Sequence, residues 1–235
     1  MSLTTRVVDG IIGCLLHVLC WVGGAQLEKV PAEGPLILVT NHVNFLEIPV
    51  LHIHLRPRPV TGLAKVESWD KPIFRFLFNL WGAIPIRRGE TDRAALRKCL
   101  ATLERGDILA VAPEGTRSSH GRLQQGHPGA VMLALQSGAP LLPLVFYGGE
   151  TFWQNLKRLR RTSFHIVVGD PFRVHVGDQK VRRELRRQIA DEVMYQLAAL
   201  LPPAYRGVYS DLEAATEDYL QFASPATSNL RCVRG

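Results

Sequence analysis

Short, largely apolar runs of three to six residues alternate along the chain with longer segments whose apolar residues recur at helical spacing. The runs at 36–39, 60–64, 84–86, 108–112 and 141–146 are too short for stable helices. Each is bounded by Gly, Pro or polar clusters, as buried strands of a parallel sheet are. Between them the pattern predicts helices over 48–55, 65–81, 91–103, 130–136 and about 178–200, with Thr91 or Asp92 capping the third and Gly138 stopping the fourth. Strand and helix in alternation predict an α/β fold, a mostly parallel central sheet flanked by helices. Pro143, inside the last strand run, predicts an edge or a strand terminus there, because proline cannot donate to a ladder.

Two segments do not fit a plain amphipathic pattern. Residues 65–81 are apolar nearly all round once Pro72 opens their regular part, which suits a buried core helix or a lipid contact. Residues 7–25 carry one charge, Asp9, and as a single helix would reach roughly 28 Å, close to a bilayer core. An uncleaved membrane-associated helix within residues 1–29 is preferred to a signal peptide, for which Arg6 and Gly23-Gly24-Ala25 would serve, and to a buried soluble helix. One catalytic-size unit then covers 30–210. A weak helix containing Leu212 and Tyr219 follows, with a poorly ordered tail from Ser224, in 211–235.

Polar residues gather where the strand runs end. After 36–40 comes Asn41-His42-Val43-Asn44-Phe45-Leu46-Glu47, which sets a histidine and a carboxylate five residues apart. Taken alone it also reads as a helix capping box from Asn44 to Glu47. After 108–112 comes Pro113-Glu114-Gly115-Thr116-Arg117-Ser118, where a glycine that lets backbone approach a ligand sits beside a carboxylate, a hydroxyl and a guanidinium. Arg87 and Arg88 close the run at 84–86 and form a candidate anion site, since guanidinium grips phosphate bidentately.

Bulk properties narrow the partners. A chain of 235 residues, 46% hydrophobic, can bury one sizeable core. Its formal charge of +7 favours an anionic partner. The basic run Lys157, Arg158, Arg160, Arg161 and the stripe Arg182, Arg183, Arg186, Arg187 suit solvated faces or anionic lipid. They lack the interleaved aromatics that nucleic-acid binding uses. Four cysteines without C-x-x-C spacing point to a reducing compartment. His52 and His54, two residues apart on a helix, diverge and make no metal pair.

Taken in order, the strand-end clusters resemble the glycerolipid acyltransferase family typified by bacterial lysophosphatidate acyltransferase, over roughly residues 30 to 210. Asn41, His42 and Glu47 are similar to its first block. Gly82 to Arg87, with Ile84 and Ile86 apolar, resembles the second, and Pro113 to Ser118, with Ala112 replacing an aromatic, the third. Ala139-Pro140-Leu141-Leu142-Pro143 resembles the fourth. The resemblance implies acyl transfer from acyl-CoA or acyl carrier protein to the hydroxyl of 1-acylglycerol-3-phosphate or a related lysolipid, giving phosphatidate in the first case. It implies His42 as general base, with Glu47 fixing its tautomer. Asn41, Arg87, Arg88, Glu114, Gly115, Thr116 and Arg117 are implied at the acceptor, without metal or cofactor. The implied partners are membrane lipids and the acyl donor, not nucleic acid, and the implied site is membrane-associated and faces the cytoplasm.

Two departures stand out. Glu47 replaces the family's usual Asp, and residues 125–129 (Gln-Gly-His-Pro-Gly) lack the lysines such enzymes often place there. A hydrolase is disfavoured because no Gly-x-Ser-x-Gly elbow occurs. The remaining alternatives are a membrane-binding protein without catalysis and acylation of a different lysolipid or polyol acceptor.

Overall fold

The computed structural model describes residues 3–87, 92–118 and 120–231. The chain runs α1 (Leu3–Leu19), β1 (Cys20–Gly23), β2 (Leu36–Thr40), α2 (Glu47–His54), β3 (Val60–Lys65), α3 (Pro72–Leu80), β4 (Ile84–Ile86), α4 (Arg93–Glu104) and β5 (Ile108–Val111). It continues through α5 (Gly129–Ser137), β6 (Leu141–Tyr147), α6 (Phe152–Lys157), β7 (Thr162–Val168), β8 (Arg173–Val174), α7 (Arg183–Leu200) and β9 (Leu220–Gln221). Seven strands form one sheet in the order β1-β7-β6-β2-β5-β3-β4, while β8 and β9 pair separately. Within the large sheet β6–β7 is antiparallel and the other pairs are parallel.

The apolar runs make this sheet because both of its faces are covered. In β2, Leu36 and Leu38 enter one core with Val50, Leu51, Ile108 and Phe146, under α1, α2 and α6. Their neighbours Ile37 and Val39 enter the other core with Cys99, Leu109, Val131 and Val193, under α4, α5 and α7. Alternate side chains point to opposite faces, so a strand covered on both sides must be apolar throughout. Thus β2, β5 and β6 sit centrally, and their carboxyl ends open along one edge of the sheet.

Four expectations are corrected. Pro143 lies in an interior strand, opposite Val39 of β2. Its carbonyl accepts Gly169 N–H at 2.9 Å, and the β6–β7 ladder begins one residue later, at Leu144. A residue's N and C=O share a side in a strand, so the nitrogen without a proton faces the gap between that ladder and the isolated Leu141–Phe172 bridge. Residues 20–23, expected within one long helix, are strand β1, which extends the sheet beyond β7. The Arg161 guanidinium takes the His17 carbonyl, and the Cys20 carbonyl at 2.6 Å, and so closes the end of α1.

The piece 65–81 is not a core helix: a 3-10 turn at Val66–Asp70 precedes α3, and no residue of either is buried. Instead of the expected helix, 211–231 forms the 3-10 turn Leu212–Ala214 and β9, then packs as an ordered tail. Leu230 is buried, and Asn229 bonds Gln196 and the Asp170 amide. Tertiary side chains outweigh a weak local propensity there.

Strand β7 has no counterpart among the expected strands. Its alternation was present in Thr162, Phe164, Ile166 and Val168, all buried, between outward Ser163 and His165.

Candidate active site

The site is built at the carboxyl ends of β2, β4, β5 and β6. β2 delivers Asn41 and His42 into a turn that ends in the first residue of α2, Glu47. Glu47 is buried and divides its carboxylate between two tasks. Oε2 lies 2.6 Å from His42 Nδ1, while Oε1 accepts the main-chain N–H groups of Val43 and Asn44, both at 2.6 Å. The capping reading and the histidine-orienting reading therefore hold together, one on each oxygen. The two amides also show how the longer glutamate arm is accommodated, since the turn folds around it.

His42 is 22% exposed on its side chain, against 1% for Glu47. With Nδ1 donating to the carboxylate, Nε2 carries the lone pair and faces outward from the pair. Its main chain is clamped as well. The N–H donates to Glu114 Oε1 at 2.9 Å, and the carbonyl accepts Ser118 N–H at 2.7 Å. Glu114 is 2% exposed, and its other oxygen accepts Gln124 N–H at 2.9 Å. Burial pushes the Glu114 carboxyl above the usual range, opposed by the two amides. Its side chain ties β2, β5 and the 121–128 loop into one body and is turned away from solvent.

Asn41 is equally inward. Its carboxamide donates to the Phe146 carbonyl and accepts the Phe146 N–H, each at 2.8 Å. This pins the end of β2 to β6. Neither Asn41 nor Glu114 offers an open contact to an acceptor in this arrangement.

Gly115, at φ +65°, adopts a left-handed turn that favours glycine, and a Cβ there would lie 3.2 Å from the His127 ring, a tight contact. Thr116 and Arg117 beyond it are exposed, as is Arg87 at the end of β4. No carboxylate pairs with either arginine among the described residues. Arg88 lies outside the described residues.

Several functional neighbours were missed by sequence reasoning. Asp92 caps α4 through Ala95 N–H and also holds Arg87 N–H at 3.1 Å. These amides keep its carboxyl below the usual range. The Asn44 carboxamide donates to the Gly149 carbonyl at 2.6 Å, joining the His42–Glu47 turn to the end of β6. Phe45 packs on Phe152 and Trp153 of α6, with ring centroids 5.7 and 5.6 Å away. Only the capping role of Asp92 had a local signal. The fourth resemblance block does not reach the site: Pro140 lies at the amino end of β6, where its carbonyl accepts Ile37 N–H.

Beside the site, Ile48, Leu51, Val60, Leu63, Phe78 and Trp81 line an apolar recess between α2, α3 and β3.

A histidine held by a buried carboxylate and partly exposed at the carboxyl edge of a mostly parallel sheet, with exposed arginines beyond the ends of β4 and β5, is an arrangement found in the class of α/β enzymes that remove a proton from a bound hydroxyl. The comparisons with known proteins specify the family. The acyltransferase family model matches residues 24–147, and the chain belongs to that family.

The chain is 30% identical over 187 residues to a lyso-ornithine lipid O-acyltransferase of Pseudomonas aeruginosa, covering 72% of this chain and 70% of the relative. It is 24% identical over 193 residues to a 1-acyl-sn-glycerol-3-phosphate acyltransferase of Borreliella burgdorferi, covering 79% and 77%. It is 29% identical over 125 residues to a chloroplastic 1-acyl-sn-glycerol-3-phosphate acyltransferase of Brassica napus, covering 52% of this chain but 36% of that longer protein. The crystal structure of the 1-acyl-sn-glycerophosphate acyltransferase PlsC from Thermotoga maritima has a similar fold. It matches with a TM-score of 0.58 at 22% identity, over 80% of this chain and 76% of that one.

Proposed function

We propose that this acyltransferase moves a fatty acyl group from a thioester, acyl-CoA or acyl carrier protein, to the free hydroxyl of a lysolipid at a membrane surface. 1-Acylglycerol-3-phosphate is the first acceptor to test. The single observation that carries the chemistry is the 2.6 Å contact between Glu47 Oε2 and His42 Nδ1. It leaves Nε2 as the proton acceptor.

In this reading His42 takes the hydroxyl proton as the oxygen attacks the thioester carbonyl. The tetrahedral intermediate collapses with cleavage of the C–S bond, and the departing thiolate receives the proton held on His42. Glu47 stabilises the imidazolium between these events. No protein nucleophile is acylated. Arg87 and Arg117, both exposed, with Thr116 and the Gly115 turn, hold the acceptor's anionic head. Asn41 and Glu114 act as positioning residues.

Membrane association rests on α1. Its residues Leu3, Val7, Ile11, Leu15 and Val18 are all more than half exposed and follow one helical stripe. Asp9 faces inward to Trp81 Nε1 at 3.0 Å and to Arg56. Hydrophobic residues outward with the acid inward inverts the pattern of a water-facing helix. No helix of the described residues is long and apolar enough to cross a membrane, so the reading is of a helix lying on the bilayer.

An amino-acid lysolipid is the second acceptor reading. It is supported by the lack of lysine in 125–129 and by the Pseudomonas relative. The test offers purified protein both acceptors with each thioester donor. Transfer to neither acceptor, or undiminished transfer by His42→Ala, overturns the proposal.

A further inference from the structure

We propose that the turn at residues 157–161 is a second membrane contact, selective for anionic lipid, in which Leu159 enters the bilayer and Lys157, Arg158 and Arg160 meet the headgroups. This rests on the reading of a lysolipid enzyme working at a membrane surface, and adds to it a charge-selective site distinct from α1.

Leu159 is 95% exposed, the highest value among the exposed large hydrophobic residues. It also has φ +51°, among the described residues the one positive φ outside glycine. A branched apolar side chain in the left-handed region is unfavourable, and its exposure to water adds nothing in return. Asn or Gly would suit the turn better, so folding does not explain leucine here. Insertion into lipid does.

The surroundings carry the complementary charge. Lys157, Arg158 and Arg160 are exposed and make no ion pair among the described residues. No acidic residue occurs from 151 to 169. Trp153, one turn before Lys157, is 58% exposed, and Trp21 is 61% exposed. Tryptophans of this kind settle at the headgroup level of a bilayer.

The turn is also on the correct side. α6 packs through Phe152 into the same core as Leu16 and Cys20 of the α1 and β1 segment. The Arg161 guanidinium bonds the His17 and Cys20 carbonyls and lies 3.4 Å over the Trp21 ring, fastening the turn to α1. The α7 stripe from Arg182 to Arg187 belongs to the layer across the sheet and cannot meet the same plane. At its other end α6 stacks on Phe45, between His42 and Glu47. A bilayer held by this turn is therefore held close to the catalytic turn.

The experiment measures co-flotation of the full chain with phosphatidylcholine vesicles and with vesicles also containing phosphatidylglycerol, at low and high salt. Wild type should prefer the anionic vesicles and lose that preference with salt. Arg158→Gln with Arg160→Gln should lower anionic-vesicle affinity about five-fold for each charge removed, leaving binding to neutral vesicles and acyl transfer in detergent micelles unchanged. Leu159→Asn should bind both vesicle types more weakly while its melting temperature stays level or rises. A merely structural leucine would not produce that opposite pair of signs.

A wild-type protein without anionic preference, or a double variant that keeps it, overturns the proposal. Vesicle binding is read without catalysis. A protein that binds in this way yet transfers no acyl group would therefore overturn only the functional reading above.

Discussion

Glu114 reaches across 72 residues of sequence to accept the main-chain N–H of His42 at 2.9 Å. The His42–Glu47 turn is thus held by a neighbouring strand-end loop as well as by its own Glu47. In Glu114→Gln, the amide end must face one of the two N–H donors, leaving it unpaired at a cost of about 1–3 kcal/mol. Burial raises the wild-type carboxyl above its ordinary value of 4.5. The folded state therefore holds more protons than the unfolded one in that window, and this group's contribution to stability falls as pH rises through it. Denaturant melts should show the variant less stable at pH 4, with the gap narrowing toward neutrality. A gap that widens with pH contradicts this.

Shortening the arm in Glu47→Asp draws the carboxylate back by about 1.5 Å. It cannot then reach His42 Nδ1 and both amides at 2.6 Å together. kcat should fall, approaching the loss for His42→Ala, which is about 10²–10⁴-fold. Steady-state kinetics with a fixed thioester donor check it; an unchanged kcat would mean the turn adjusts freely.

Asn41→Ala should act on folding. It strands the buried N–H and C=O of Phe146, at about 1–3 kcal/mol for each group. Thermal melts should show a large drop in Tm. The KM for the acceptor, measured below the new Tm, should stay within about two-fold, an effect under 0.5 kcal/mol.

Arg87→Ala and Arg117→Ala should each raise the KM for a phosphate-bearing acceptor, lowering kcat/KM about 10–100-fold, since a hydrogen bond to a charged group contributes about 1.5–3 kcal/mol. Donor KM and Tm should hold, because both side chains are exposed. Equal effects on donor and acceptor would point elsewhere.

The cysteines should differ in reactivity. Cys14 is exposed and Cys99 buried, with burial pushing the Cys99 thiol to about 11. Iodoacetamide at pH 8 should label Cys14 long before Cys99, as read by peptide mass spectrometry. The raised value also means that stability falls as pH climbs from 9 toward 11, a component that Cys99→Ala should remove.

The legible parts of this protein were the local ones. The apolar runs at 36–39 and 108–111 could be only strands covered on both faces, and His42 with Glu47 lies within a single turn, where spacing is enough to bring side chains together. Asp92 could likewise be read as a cap from its place before the helix.

Asn41 and Glu114 were legible as polar strand-end residues but not as inward ones. Their partners, Phe146 and His42, lie 105 and 72 residues away, and sequence spacing carries no information about which strands become neighbours. The same limit hid β1, whose four residues gain strand geometry only by pairing with β7. It also hid the environment of Pro143, tolerated in an interior strand because the adjacent ladder ends beside its nitrogen.

The sequence by itself determined the alternation of elements, the apolar character of the central sheet and the residue types at each strand end. Periods of two and 3.6 are properties of neighbouring residues. Tertiary structure alone decided which strand ends share an edge, that Glu114 braces His42, and that α1 turns the stripe from Leu3 to Val18 outward and Asp9 inward. Those follow from strand order and from the packing of elements distant along the chain, and no local period encodes them.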